Sequence, residues 1–268
     1  MKKFTFAIVA MAAMMFASCG NKAQQPAADD VDTTKTFEQE QIEASIKMHL
    51  DSIAAAMNEK DLSGIAAIAK EGKLTLSADE KKVQPVYLLS ANIADELTTI
   101  GQKYAAIAML AIDKEVAKVY DMNIEDYDAT IAKLASDIND PAIKKLHDAE
   151  INKEALAQLS KDMDEEGRIN FFWIASSAAT VENLYIMSQN VEKFLASYTD
   201  EQVSNITFRL FCLLDAMDRL SVYDPQIVGI AEGLEPLKNL NATTVEEFKK
   251  ELTDSKEMIE ASRAAFLK

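Results

Sequence analysis

An all-α fold is predicted for residues 36–268, a multi-helix bundle of about nine to eleven helices on short connections. Three observations predict it. Apolar residues recur at three- and four-residue spacing, the period that gathers them on one face of a helix. Helix-start signals recur as Ser or Thr followed three residues later by Glu or Gln, and as Asp-Pro pairs. No segment alternates β-branched and polar residues between hairpin turns, as strands would.

The first helix starts near Thr36 with Gln39 as capping partner, and Ile42, Ile46, Leu50, Ile53 and Met57 line its apolar face. A short helix follows Asp61 and stops near Gly72, and Ser77 with Glu80 makes a further capping box. Pro85 is read as opening a helix that runs to Ile100, with Gly101 interrupting it before another helix over residues 104–120. Asn123 caps a helix to about Ile138. Asp140-Pro141 pairs a cap with Pro at the first helical position, and Gly167 marks a break.

Residues 168–197 read as the most buried helix. Phe171, Phe172, Trp173, Ile174, Val181, Leu184, Tyr185, Met187, Val191, Phe194 and Leu195 cover most of its circumference, and the small residues at 175–180 let a neighbour approach. Glu182 and Asn183 interrupt the apolar run, so it does not read as a membrane span. Thr199 with Gln202 caps a helix through Leu220, Asp224-Pro225 starts the next, and Thr244 with Glu247 caps the last. Val245, Phe248, Leu252, Ile259 and Phe266 give that last helix its packing face.

An internal duplication is also suggested. Tyr87-Leu88 through Glu96 and Ile100 aligns with Trp173-Ile174 through Glu182 and Ile186 at one offset. The two Asp-Pro starts fall at nearly the same offset, which would make residues 78–167 and 168–268 pseudo-repeated halves.

Ahead of the helical body, Lys2 and Lys3 precede an uncharged, mostly apolar stretch at residues 4–17. That stretch is too short to span a hydrocarbon core, which needs ~20 helical residues. A charged start, a short apolar core and small residues before a cut site describe a secretory signal. Phe16-Ala17-Ser18-Cys19-Gly20 resembles the bacterial lipobox, with Phe16 where Leu is usual. Residues 1–18 are therefore read as a lipoprotein signal peptide, Cys19 as the lipid anchor, and 19–35, rich in Gln, Ala, Asp and Thr, as a flexible tether. Two or three acyl chains such as palmitate anchor stably where one does not, because each buried CH₂ is worth about 0.8 kcal/mol. By analogy with lipoprotein sorting, Gly20 in place of Asp implies the outer membrane. The lack of an acidic cluster directly behind Cys19 implies its periplasmic face rather than the cell surface.

The chain holds 28 Lys and Arg against 44 Asp and Glu, a net charge of −16. Such a balance argues against nucleic acid and anionic headgroups as partners, both of which need a basic surface. The expected membrane contact is the N-terminal lipid alone. With Cys19 acylated, Cys212 stands alone in the apolar run Phe208-Arg-Leu-Phe-Cys-Leu-Leu214, as a small core residue rather than a nucleophile. His49 and His147 lack metal-site spacing, and Asp162-Met-Asp164-Glu-Glu166-Gly167 lacks a calcium loop's ligand alternation, so no metal is expected. No phosphate-binding glycine loop or nucleophile elbow is present; neither a cofactor nor a catalytic constellation is expected. Phe171-Phe172-Trp173 could form a sugar platform, but adjacent helical residues point in different directions and read as core. Asp51-Ser52-Ile53 resembles the O-glycan acceptor of bacteroidetes-type exported proteins, which makes Ser52 a candidate glycosylation site.

Asp95 and Glu182 are the acids that stand out, each one or two turns into an apolar helix. A charge there must be paired or hydrogen-bonded. One reading is structural pairing with a Lys, an Arg or a helix end. The other is a central pocket in which Asp95, Glu182, Tyr87 and Tyr185 hold a small cationic or polar ligand.

The segment Tyr87-Leu-Leu-Ser-Ala-Asn-Ile-Ala-Asp95 and the helix Ala178-Ala-Thr-Val-Glu182-Asn-Leu-Tyr185 resemble two motifs of a family of bacteroidetes-type helical lipoproteins of unknown function. Ile93 stands where that family has Gly, and Thr180 where it has Trp. The resemblance covers roughly residues 80–240 and implies an all-helical fold and an envelope location, with no activity attached. The resulting expectation is a non-enzymatic, outer-membrane-anchored body that binds an envelope protein or a small ligand. Its alternatives are a hydrolase-like enzyme using buried carboxylates and an assembly subunit with an exposed apolar patch.

Overall fold

A computed structural model describes residues 37–58, 64–140, 143, 153–165, 167–222 and 224–268. The anchor Cys19, the tether, Pro141 and His147 lie outside the described residues. Within them the chain is all-α, a multi-helix bundle without strands. The described α-helices are α1 (Phe37–Asn58), α2 (Ile65–Lys70), α3 (Ala78–Lys82), α4 (Ile100–Val119), α5 (Glu125–Ile138), α6 (Lys153–Glu165), α7 (Ile169–Gln189), α8 (Val191–Phe194), α9 (Asp200–Ser221), α10 (Pro225–Leu234), α11 (Val245–Asp254) and α12 (Lys256–Ala265). Two 3₁₀ turns, η1 (Ala91–Asp95) and η2 (Glu235–Asn239), complete them.

Helix α7 is the axis of the bundle. It packs most extensively on α4 and is further enclosed by α12, α9 and α6. Its buried residues, from Phe171 to Ser188, fall all round its circumference, as its sequence requires of a central helix. Helix α4 approaches it through small residues: Ala105, Ala106 and Ala117 are fully buried, and a Cβ on Gly101 would sit 3.5 Å from Ile174 Cδ1.

Local hydrogen bonds set most boundaries. Ser77 with Glu80 and Thr199 with Gln202 form the expected capping boxes, and Asp224 caps α10 with Pro225 at its first position. One expectation fails between residues 85 and 100. No α-helix opens at Pro85; the segment is irregular apart from η1, and Gly101 lies inside α4 rather than between two helices. The cause is a capping box that the apolar spacing hid. Thr99 Oγ1 accepts the Gln102 N–H at 3.2 Å, while Gln102 Oε1 accepts the N–H groups of Thr98 and Thr99 at 2.8 Å each. Both donors are thereby withdrawn from any continuous helix. Residues 87–100 thus differ in structure from residues 173–186, which are continuous α-helix, so the aligned segments do not form a structural repeat.

Two long helices also split. Asn190 ends α7 and caps α8, its Oδ1 accepting the Lys193 N–H at 3.1 Å. The last predicted helix divides at Ser255 into α11 and α12. Helix α12 then docks on α7 and α10, where a Cβ on Gly233 would meet Ala265 Cβ at 2.5 Å. Ser262 Oγ donates to the Gly233 carbonyl at 2.7 Å at the same crossing. That docking carries Arg263 into the interior.

Candidate functional site

Three helices bring charge to the centre of the bundle. On α4, the inward face runs through Gln102, Ala105, Ala106, Met109, Leu110, Asp113, Val116 and Ala117, so helical spacing alone turns Asp113 inward. On α7, Glu182 is equally buried; neither side chain has any exposed surface. From α12, Arg263 reaches Glu182 with two parallel bonds, Nε to Oε2 at 2.6 Å and Nη2 to Oε1 at 2.8 Å. The same guanidinium lies 4.3 Å from the centre of the Tyr185 ring, a cation–π contact that seats its flat face.

Asp113 completes the cluster. Its Oδ2 accepts the Leu89 N–H at 2.6 Å and lies 4.0 Å from Arg263 Nη2, while Oδ1 receives no donor. Two carboxyls therefore face one guanidinium. Burial, and then the negative charge of Glu182, push the Asp113 carboxyl well above its ordinary range, only partly opposed by the Leu89 amide and Arg263. Burial and the neighbouring Glu182 charge thus favour the protonated form of the Asp113 carboxyl.

Phenols surround it. Tyr87 and Tyr120 meet hydroxyl to hydroxyl at 3.2 Å. Burial raises Tyr87 above its ordinary range, reinforced by the bond to Tyr120 and by the nearby Asp113 carboxyl. Tyr127 is pushed up to about 12, first by burial and then by Asp113 and Glu182. Tyr185 is raised by burial and partly drawn back by Arg263.

Of the four residues predicted to share a pocket, Glu182, Tyr185 and Tyr87 come together around Asp113. Asp95 does not. It ends η1 on the surface, packed beside α5, with 79% of its side chain exposed and its Oδ1 2.5 Å from Lys133 Nζ, the bond that lowers its carboxyl below the usual range. The predicted place of Asp95 rested on a buried helix over 85–100 that the Thr99–Gln102 cap prevents. Asp113 was missed although its signal was present, an acid at i+3 and i+4 from buried positions on the apolar face of its helix.

No family model, curated protein or solved structure matches the chain.

The other candidates fall as follows. Ser52 lies on the exposed side of α1, its Oγ donating to the Met48 carbonyl at 2.9 Å. Cys212 is buried, and burial pushes its thiol up, away from nucleophilic behaviour. His49 hydrogen-bonds Asp215, which also takes Arg219 Nε at 3.1 Å. Burial raises Asp215, but these two partners outweigh it and hold the carboxylate below its usual range. Phe171 stacks on Tyr104 at 4.8 Å and Phe172 meets Trp173 edge-on at 5.5 Å, so the aromatic run is core. Among the described residues, no three His, Cys, Asp or Glu side chains are grouped to hold a metal ion.

Proposed function

We propose that the protein is a non-enzymatic helical body of the cell envelope, held at the periplasmic face of the outer membrane by acyl chains on Cys19 and binding an envelope protein or a small ligand. The observation that carries this reading is the order Lys2-Lys3, apolar stretch, then Phe16-Ala17-Ser18-Cys19-Gly20, the layout of a signal peptide that ends at an acylated cysteine. The resemblance to bacteroidetes-type helical lipoproteins supports the same location. No helix among the described residues is long and apolar enough to cross a membrane, and the acyl chains would supply the attachment.

The bonding of the buried acids supports the non-enzymatic side of the reading. Both oxygens of Glu182 accept from Arg263, and Asp113 Oδ2 accepts from the Leu89 amide. That pattern joins α7 to α12, with Asp113 of α4 4.0 Å from the same guanidinium, and gives each Glu182 oxygen a structural bond.

Expression in a Gram-negative host with an alkyne-labelled palmitate tests the anchor. The full chain should take up label and fractionate with the outer membrane. The Cys19→Ser variant should carry no label and yield a helical protein in the soluble fraction. An unlabelled full chain, or a Cys19→Ser variant that stays with the membrane, overturns the reading.

A further inference from the structure

A groove of about 550 Å³ opens on the surface between the end of α2, the 71–77 connection, α3 and the C-terminal end of α4. That volume lies in the range of small-molecule sites. Its wall is set by Gly72, whose φ of 69° places it in the left-handed region. There the Gly72 and Lys73 N–H groups close the end of α2 onto the carbonyls of Ala69 and Ile68, at 3.0 and 3.1 Å. A Cβ on Gly72 would meet no atom within 4 Å, so this turn borders open space.

The groove combines two chemistries. Leu74, Leu76 and Val119 give it an apolar lining. Lys70, Lys81 and Lys118 line it from three different helices, against one acid, Glu115. Lys118 Nζ is engaged by Glu115 at 2.8 Å, and the Glu115 side chain is only 12% exposed, so that pair is internally neutralised. Lys81 Nζ is 2.8 Å from Asp121, whose side chain is 68% exposed, a weak and replaceable partner. Lys70 has no hydrogen-bond or ion-pair partner among the described residues. On a chain of net charge −16, this is a local excess of positive charge beside a mixed polar and apolar lining.

We propose that this groove binds a small amphiphilic anion: a carboxylate or phosphate head taken by Lys70 and Lys81, with a short acyl or aryl body laid on Leu74, Leu76 and Val119. The inference rests on the small-ligand side of the proposed function and names the ligand class. Charge recognises the head and apolar area holds the body, so neither an inorganic anion nor a neutral alcohol of the same length satisfies both.

The test uses the chain from Cys19→Ser onward as secreted by the host, with octanoate and octyl phosphate as probes, followed by amide chemical shifts in NMR titration. Octanoate and octyl phosphate should each bind saturably in the millimolar range or tighter, with shifts gathered at residues 69–76, 81 and 115–119. Octanol and inorganic phosphate should bind more weakly, and raising salt should weaken the octyl anions. A preference between the two octyl anions assigns the head as carboxylate or phosphate. The Lys70→Glu/Lys81→Glu double variant, at exposed or half-exposed positions, should keep its helical spectrum and lose about tenfold in affinity. Absence of saturable binding, octanol binding as well as octanoate, or a double variant that binds unchanged overturns the proposal. Each of these outcomes leaves acylation at Cys19 and membrane fractionation untouched, so failure of the groove and failure of the anchor are read separately.

Discussion

Arg263 holds both carboxylate oxygens of Glu182, at 2.6 and 2.8 Å, across the contact between the last helix and the central one. Glu182 is wholly buried and the Arg263 side chain is 13% exposed, so little water screens the pair. Such a pair costs desolvation on both sides and is stable only while both members remain. It favours the register of α12 on α7 in which the guanidinium meets the carboxylate.

Arg263→Leu should destabilise the fold by about 3–5 kcal/mol, because it leaves Glu182 charged, buried and beside a second carboxyl. The Glu182→Leu/Arg263→Leu double variant should cost less than Arg263→Leu alone, since it removes the orphaned charge as well. Urea unfolding followed by circular dichroism measures both. A double variant less stable than the single would show that the pair contributes net stability beyond avoiding an orphaned charge.

Asp113 adds a dependence on pH. Its folded carboxyl titrates well above the ordinary value of 3.8, because burial and the neighbouring Glu182 charge disfavour ionisation. The folded chain thus keeps a proton that the unfolded chain releases. The stability this proton contributes is complete below that ordinary value and is lost progressively as pH rises toward the raised folded value. Asp113→Asn keeps an oxygen for the Leu89 N–H without a titrating group. Melting temperatures of both forms between about pH 5 and pH 8 should show wild type falling relative to Asp113→Asn as pH rises. Two parallel curves would mean that Asp113 is not the proton holder.

These contacts mark what the sequence could and could not show. Ser77–Glu80, Thr199–Gln202 and Asp224-Pro225 are legible because cap and partner lie within three residues of each other. Thr99–Gln102 has the same form but was overridden by the apolar spacing after Pro85, and with it went the placement of Asp95. Glu182 could be singled out as a charge in an apolar helix, but nothing local names its partner 81 residues away. Asp113 obeyed the same logic as Glu182 but stands beside Lys114 and Glu115, where it reads as one more charge of a solvated face. The groove is legible only in three dimensions, since Lys70, Lys81 and Lys118 belong to three helices.

The start of α2 offers a sharper test of the packing on α7. Gly64 has no side chain to cap the helix, and Asn183 supplies the cap from α7: its Oδ1 accepts the Ile65 N–H at 2.7 Å while its Nδ2 donates to the Ala179 carbonyl at 2.7 Å. A Cβ on Gly64 would lie 2.7 Å from that same Oδ1. Asn183→Ala removes the cap directly, and Gly64→Ala displaces it, so each should cost about 0.5–2 kcal/mol, the worth of an N-cap. Because both act on one hydrogen bond, the double variant should cost little more than the worse single. Hydrogen exchange at the amides of α2, whose Ile65 and Ile68 are buried, should quicken by about tenfold for each 1.4 kcal/mol lost. Costs that simply add in the double variant would show that the cap and the close approach at Gly64 are independent features.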